Sequence, residues 1–78
     1  MVTPNPSNGN IAVQFYPQPL TLKSIQIYNS SGQKINEVLV NGQSSNLYNF
    51  DISRNAAGTY FVRIQMGNEV ITKKIIKY

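Results

Sequence analysis

Residues 57–65 have the sequence Ala-Gly-Thr-Tyr-Phe-Val-Arg-Ile-Gln, which predicts a β-strand that begins at a glycine. Tyr60, Val62 and Ile64 alternate with the residues between them, and this period of two is typical of a strand with one face on a core. Gly58 stands where the chain leaves the preceding loop. Because glycine adopts positive φ angles with little strain, we expect the chain to turn sharply at this residue.

The same pattern extends over the rest of the chain. A tight turn at 66–68 leads into a strand over 70–77, so residues 58–77 are predicted to form a β-hairpin. Earlier strands are predicted over 10–16, 20–29, 33–40 and 47–52. That makes about six strands, or seven if Val2–Thr3 pairs. Since turn signals recur about every 8 to 12 residues and no helical repeat is sustained, the sequence predicts an all-β sandwich of two small antiparallel sheets with Greek-key connections.

Alternating apolar residues predict which side chains face the core. They are Ile11, Val13 and Phe15 in the strand over 10–16, Ile25 and Ile27 in the strand over 20–29, and Tyr48, Phe50 and Ile52 in the strand over 47–52. In the strand over 33–40 the pattern leaves two choices, Ile35 with Leu39 or Val38 with Val40.

The composition argues against an enzyme. The chain has 78 residues, the size of one small domain, and it contains no cysteine and no histidine. Disulfide bonds, the usual structural zinc ligands and the commonest general base are therefore excluded. The three carboxylates Glu37, Asp51 and Glu69 are too few and too scattered to predict an acid–base pair or a calcium site. We expect no catalysis, no metal and no cofactor, and we expect Asp51 to accept hydrogen bonds from nearby backbone.

The charge is mildly basic and unevenly distributed. Seven Lys and Arg against three Asp and Glu give a net charge of +4, but only 13% of residues are charged, so nucleic-acid binding is not predicted. No apolar run approaches the ~20 residues of a membrane helix. Lys73, Lys74 and Lys77 gather in the final strand, where lysines discourage pairing with another chain. Adjacent Lys73 and Lys74 point to opposite faces, and the pattern does not decide which faces the core.

Four aromatic residues are candidates for a ligand-binding surface. Tyr16, Tyr28, Phe61 and Tyr78 are spread over the predicted strands. Exposed rings on a β-sandwich form platforms on which sugars stack, so a carbohydrate-binding or adhesion module is one hypothesis. Tyrosines that straddle core and solvent, with the hydroxyl outward, explain the same residues without a ligand.

Three segments occur in an order typical of one family. The first is Pro4-Asn5-Pro6 followed by Gly9, a rigid extended lead-in because each proline excludes the helical region from its predecessor. The second is 25–34, Ile-Gln-Ile-Tyr-Asn-Ser-Ser-Gly-Gln-Lys, and the third runs over 51–64 with the lysine-rich ending at 72–77. Together they resemble the type A carboxy-terminal sorting domain of the type IX (Por) secretion system of Gram-negative bacteria.

The resemblance implies an Ig-like β-sandwich that acts as a secretion signal. It implies a single sorting domain over 1–78, with a lead-in at 1–9 and the sandwich at 10–78, at the carboxy terminus of a larger cargo. Such a cargo passes through the periplasm and reaches the cell surface or the medium. The implied partners are the translocon, a surface sortase and the cargo domain, with the sorting domain as a monomer or a weak edge-strand dimer.

The resemblance also assigns residues. The lead-in motif is Pro4, Asn5, Pro6 and Gly9, and the residues assigned to recognition are Gly58 as a backbone corner, Tyr60 as an anchor, and Lys73, Lys74 and Lys77 as charged contacts. An equally open interpretation gives Gly58 and Tyr60 a role in the fold alone. Asn55-Ala56 departs from the Leu-Pro pair common in the family at this point, which affects the rigidity of the loop.

Overall fold

The part of the chain that the structure describes contains seven β-strands. The computed structural model describes residues 2–3, 8–15, 21–40 and 46–78. In chain order the strands are β1 (Val2–Thr3), β2 (Asn10–Gln14), β3 (Leu22–Asn29), β4 (Lys34–Leu39), β5 (Leu47–Asp51), β6 (Gly58–Met66) and β7 (Glu69–Lys77). The predicted strands are confirmed, with ends that differ by one or two residues. The predicted ends at Tyr16 and Leu20 lie outside the described residues.

The strands form two antiparallel sheets. Sheet A has the order β1-β2-β5, and sheet B has the order β4-β3-β6-β7. The β3–β4 and β6–β7 pairs are hairpins within sheet B, whereas the connections after β2, β4 and β5 pass from one sheet to the other. The predicted all-β sandwich of two antiparallel sheets is confirmed, and so is the pairing of Val2–Thr3.

The core lies between the two sheets, where the alternating apolar residues meet. Its buried members are Ile11, Val13, Leu22, Ile25, Ile27, Phe50, Ile52, Tyr60, Val62, Ile64 and Ile75. Phe15 and Tyr48 pack against this cluster, with their ring centroids 6.2 Å apart in an edge-to-face arrangement. Every inward position predicted for β2, β3, β5 and β6 therefore contributes to the core.

The register of β4 resolves its ambiguous pattern. Val38 pairs with Ile25 and packs with Val40 against the core, whereas Leu39 is 72% exposed. Ile35 also packs against the core, because the register shifts beside it and makes it an extra residue opposite β3. Neither predicted set was complete, since strict alternation does not anticipate a bulge.

Two loops and one strand pair lie together at one end of the sandwich, here called the loop end. It comprises the β3–β4 turn (29–33), the loop 52–57 that joins the two sheets, and the pair formed by Gly58 and Lys77. The opposite end carries the β6–β7 turn, where Gly67 has a φ of +55° and its N–H donates to the Thr21 carbonyl at 2.8 Å. Positive φ at the first turn residue alone matches a type II′ turn.

Strand β1 shows from which side the chain enters the sandwich. Val2 pairs with Val13, and Thr3 pairs with Ala12. Strand β2 starts beside the loop end, and its partner β1 is antiparallel to it, so β1 runs toward the loop end. The chain therefore enters β1 from the side away from the loop end.

Candidate functional site

The glycine of the lead-in motif packs against the loop 52–57. The Gly9 carbonyl oxygen accepts a hydrogen bond from the Ile52 N–H at 2.8 Å. Gly9 is buried with a φ of +118°, and a Cβ there would lie 2.5 Å from the Cα of Ser53 and 2.7 Å from its nitrogen. Only glycine fits this contact. The other motif residues, Pro4, Asn5 and Pro6, lie outside the described residues.

Local hydrogen bonds hold the first half of the loop. The Ser53 N–H donates to the Asp51 carboxylate at 2.9 Å, and the Asn55 N–H donates to the Ile52 carbonyl at 2.9 Å. Hydrogen bonds from the Ser53 hydroxyl and N–H lower the pKa of Asp51 from its ordinary value of 3.8. The predicted role of Asp51 as a local acceptor is confirmed. Ser53 to Ala57 are all exposed, so the loop is held by these local hydrogen bonds while its side chains remain open to solvent.

Tyr60 holds the second half of the loop. Its side chain is 5% exposed, and its hydroxyl donates to the carbonyl of Ala56, four residues earlier. A tyrosine at a strand start that bonds back to upstream backbone is a known support of β-sandwich corners. Gly58, between the two residues, has the expected positive φ of +148°, and a Cβ there would meet no atom within 4 Å. Glycine is required at position 58 by conformation and at position 9 by both conformation and space.

The three lysines of β7 divide between its two sides. Lys73 and Lys77 lie on the same side as the buried Ile75, because side chains alternate along a strand. Lys74 lies on the outer side, across from Phe61. Lys73 is nevertheless exposed, since β7 is an edge strand and this residue sits at the rim of the sandwich. This answers the question that the sequence left open.

Only part of the predicted recognition set is brought together. Gly58 pairs with Lys77, which is 8% exposed, and Tyr60 lies two residues further along β6. These three residues lie at the loop end. Lys73 and Lys74 lie further along β7, on different faces of sheet B, so the five residues do not form one compact patch.

A small open cleft adjoins Gly58 and Tyr60. One wall is the β3–β4 turn at Asn29, Ser30 and Ser31, the other is the segment from Ala56 to Tyr60, and the volume is about 170 Å³. The two walls are distant in sequence and meet because Asn29 pairs with Tyr60 at the end of the β3–β6 ladder. The sequence patterns gave no signal for the cleft, since neither wall carries an unusual residue type.

The outer face of sheet B carries a polar network. Glu37 accepts hydrogen bonds from the Gln26 amide at 2.8 Å and from the Lys34 ammonium at 2.9 Å, and the Tyr28 hydroxyl donates to Gln26 at 3.1 Å. The hydrogen bond from Gln26, followed by that from Lys34, lowers the pKa of Glu37 from its ordinary value of 4.5. Glu37 is thus a satisfied structural carboxylate on this face.

Two of the four aromatic residues considered for sugar stacking are neighbours. Tyr28 and Phe61 are cross-strand partners on the outer face of sheet B, and both are half-buried. Tyr78 is 72% exposed at the end of the chain, and Tyr16 lies outside the described residues. The described part of the chain contains no group of three or more acidic, histidine or cysteine residues placed to hold a metal ion. Nor do these residues include a helix long and apolar enough to span a membrane.

The whole chain matches one protein family. Residues 1–78 match the family model of the secretion system C-terminal sorting domain. The chain belongs to this family. The predicted resemblance to type IX sorting domains is confirmed, and none of the curated proteins matches the chain.

Membership defines the role of the sorting domain in outline. It is a C-terminal sorting signal for type IX secretion, which implies export to the cell surface or the extracellular space and contact with the secretion machinery. The family is not known to be catalytic.

Proposed function

We propose that this sorting domain is the non-catalytic C-terminal signal of a larger cargo, and that the type IX translocon binds it in the periplasm and carries the cargo across the outer membrane. The cargo precedes the lead-in at 1–9, and the signal is the sandwich at 10–78. Two outcomes are compatible with this proposal: a surface sortase removes the domain and the cargo is attached at the surface, or the cargo is released into the medium.

One observation carries this proposal beyond family membership. Segments from both ends of the chain meet on the same loop: Gly9 packs against Ser53, and Gly58, where the loop ends, pairs with Lys77. Among the described residues, Gly9, Gly58 and Lys77, which are far apart in sequence, therefore lie together at one end of the sandwich. In the proposal the translocon binds this loop end, with Tyr60 holding the loop in place; Lys77, at 8% exposure, supports the end of β7 rather than a charged contact.

Lys73 and Lys74 extend the contact along β7. Both side chains are exposed and lie on opposite sides of the strand. A partner that contacts both lysines therefore wraps around the edge of sheet B. This arrangement is compatible with recognition by strand addition, in which main-chain hydrogen bonds supply affinity and alternate side chains supply specificity.

The other edge of sheet B bears on the oligomeric state. The Val40 N–H donates to the Lys23 carbonyl on β3 at 2.9 Å, so by the alternation of an antiparallel ladder the Glu37 N–H points away from β3. The Asn36 side chain accepts this N–H at 2.8 Å. A blocked N–H disfavours pairing with another chain. The domain accordingly acts as a monomer or forms only a weak edge-strand dimer.

Export of a fusion protein tests the proposal. A fluorescent cargo with its own inner-membrane signal peptide is fused ahead of residues 1–78 and expressed in a bacterium with a working type IX system and in a matched translocon-deficient strain. We expect fluorescence at the surface or in the medium of the first strain only. Retention in the periplasm of both strains contradicts the proposed function.

Charge reversal then tests the lysines without unfolding the domain. Deleting 73–78 is unsuitable because it removes Ile75, which is fully buried. The variants Lys73→Glu and Lys74→Glu change exposed residues, and Lys23→Glu makes the same charge change at an exposed position of β3. We expect reduced export for the first two and normal export for the third. Normal export of all three variants would exclude Lys73 and Lys74 from the recognition site.

A glycan-binding or adhesion module is the alternative function. The adjacency of Tyr28 and Phe61 on the outer face of sheet B favours it. Under this alternative Phe61→Ala lowers the affinity for polysaccharide and leaves the location of the fusion unchanged. Under the sorting proposal the unmodified domain shows no such affinity.

A further inference from the structure

The cleft at the loop end has two walls that are fixed before any partner binds. In the β3–β4 turn, the side-chain oxygen of Asn29 accepts hydrogen bonds from the backbone N–H groups of Ser31 at 3.0 Å and Gln33 at 2.9 Å. The backbone carbonyl of Asn29 accepts one from the Gly32 N–H at 3.0 Å. The facing wall is held by the hydroxyl of Tyr60, which donates to the Ala56 carbonyl. A preformed cleft lowers the conformational entropy lost on binding.

The lining of the cleft is small and accessible. Ser30, Ser31, Ala56, Ala57 and Gly58 are all exposed, so hydroxyl and peptide groups can reach a ligand. The volume of about 170 Å³ is below the ~300–1,000 Å³ typical of sites for small molecules. The cleft therefore suits one or two residues of a polypeptide better than a cofactor.

The chemistry of the lining narrows the ligand class. None of the described residues that line the cleft is charged, so they offer no cation to pair with a carboxylate or a phosphate. Among the described residues of the lining, Tyr60 alone is aromatic, and at 5% exposure it presents no ring face on which a sugar could stack. An uncharged peptide segment can form hydrogen bonds with the hydroxyl and peptide groups of the lining, and it needs neither a cation nor an exposed aromatic ring.

We propose that this cleft receives an uncharged loop of one or two residues from a protein of the secretion machinery, bound through hydrogen bonds to its hydroxyl and peptide groups. The inference rests on the proposed function and identifies where, within the loop end, the machinery makes its neutral contact. The exposed Lys73 and Lys74 then contact the same partner outside the cleft.

Substitutions that fill the cleft test this inference. Ser31→Trp and Ala57→Trp place a large ring on opposite walls, and both replace exposed side chains that make none of the hydrogen bonds holding the walls. The matched control is Asn49→Trp, an exposed position in the middle of β5 on the other sheet. Each variant is fused to the fluorescent cargo, its export is measured in the type IX host, and its melting temperature is measured on the purified domain.

We expect export to fall at least about tenfold for both cleft variants, with melting temperatures near that of the unmodified domain and normal export of the control. Normal export of folded Ser31→Trp and Ala57→Trp overturns the inference and leaves the sorting function standing. Failure of the unmodified domain to be exported overturns both. Polysaccharide binding that Ser31→Trp abolishes also overturns it, because the occupant is then a sugar.

A photoreactive residue at Ser31 decides the case if a tryptophan variant unfolds. We expect it to form a covalent adduct with a translocon protein during export, whereas the same residue at Asn49 forms none. Absence of an adduct at Ser31 during normal export overturns the inference.

Discussion

Replacing Gly9 with alanine is expected to be the most destabilising single-methyl change at the loop end. The added Cβ would lie 2.5 Å from the Cα of Ser53 and 2.7 Å from its nitrogen. Both atoms are backbone, so the clash cannot be relieved by a rotamer change. The φ of +118° is also one that residues with a Cβ rarely adopt.

The two effects add to a large fraction of the stability of the domain. A strained φ costs about 1–3 kcal/mol, and forcing extra volume into a packed contact costs about another 1–3 kcal/mol. A 78-residue domain has a free energy of unfolding of about 4–12 kcal/mol. A loss of about 4 kcal/mol therefore leaves Gly9→Ala marginally folded and lowers the melting temperature by roughly 15–30 °C.

Gly58→Ala is the matched comparison, since a Cβ there would meet no atom within 4 Å. Only the conformational cost of about 1–3 kcal/mol applies to it. Urea denaturation of both variants, followed by circular dichroism, measures the difference. We also expect Ser53→Gly not to rescue Gly9→Ala, because the closest atoms remain in place. Equal losses for the two alanine variants, or full rescue by Ser53→Gly, would refute the close contact at Gly9.

Three further predictions concern other parts of the fold. Tyr60→Phe removes the hydroxyl that bonds to Ala56 and is expected to lower the free energy of unfolding by about 1 kcal/mol, measured by urea denaturation, with little change in the core. Ile75→Ala is expected to lower the free energy of unfolding by about 2–5 kcal/mol, because the Ile75 side chain is fully buried. Ile76 lies on the other side of β7 and is 39% exposed, so Ile76→Ala is expected to lower it by about 1 kcal/mol or less. Similar losses for the two variants would show that the register of β7 is wrong. The hydrogen-bond partners of Glu37 lower its pKa in the folded state, so the stabilisation by Glu37 is complete above its ordinary pKa of 4.5 and is lost as the pH falls through the lowered value. Glu37→Gln should therefore remove this part of the acid-induced loss of stability, measured by thermal scans at several pH values. An unchanged dependence of the melting temperature on pH would contradict the network.

The strands and most of the core followed from periodicity alone. Alternation is a local property, so Tyr60, Val62 and Ile64 could be placed inside without knowledge of any partner strand. The same reasoning did not place Ile35, because a bulge depends on the register of two strands rather than on the pattern of one. Nor could it choose the faces of Lys73 and Lys74, which needed the pairing of β7 with β6.

The site was less accessible to sequence reasoning than the fold. Gly58 and Tyr60 were singled out with an open question about their role, and the bond from Tyr60 to Ala56 gives both a part in shaping the loop. Their part in recognition stays a prediction. The contact between Gly9 and Ser53 joins residues 44 positions apart, so no local pattern anticipates it. The cleft was missed for the same reason, since its two walls meet only through the β3–β6 ladder.

The direction of β1 has a consequence for what can be attached to the domain. The chain enters β1 from the side away from the loop end, whereas Gly58 and Lys77 lie at the loop end. A protein joined ahead of Val2 is therefore attached at the end of the sandwich opposite Gly58 and Lys77. Under the proposed function, the attachment point of the cargo is thus separated from the surface that the translocon binds.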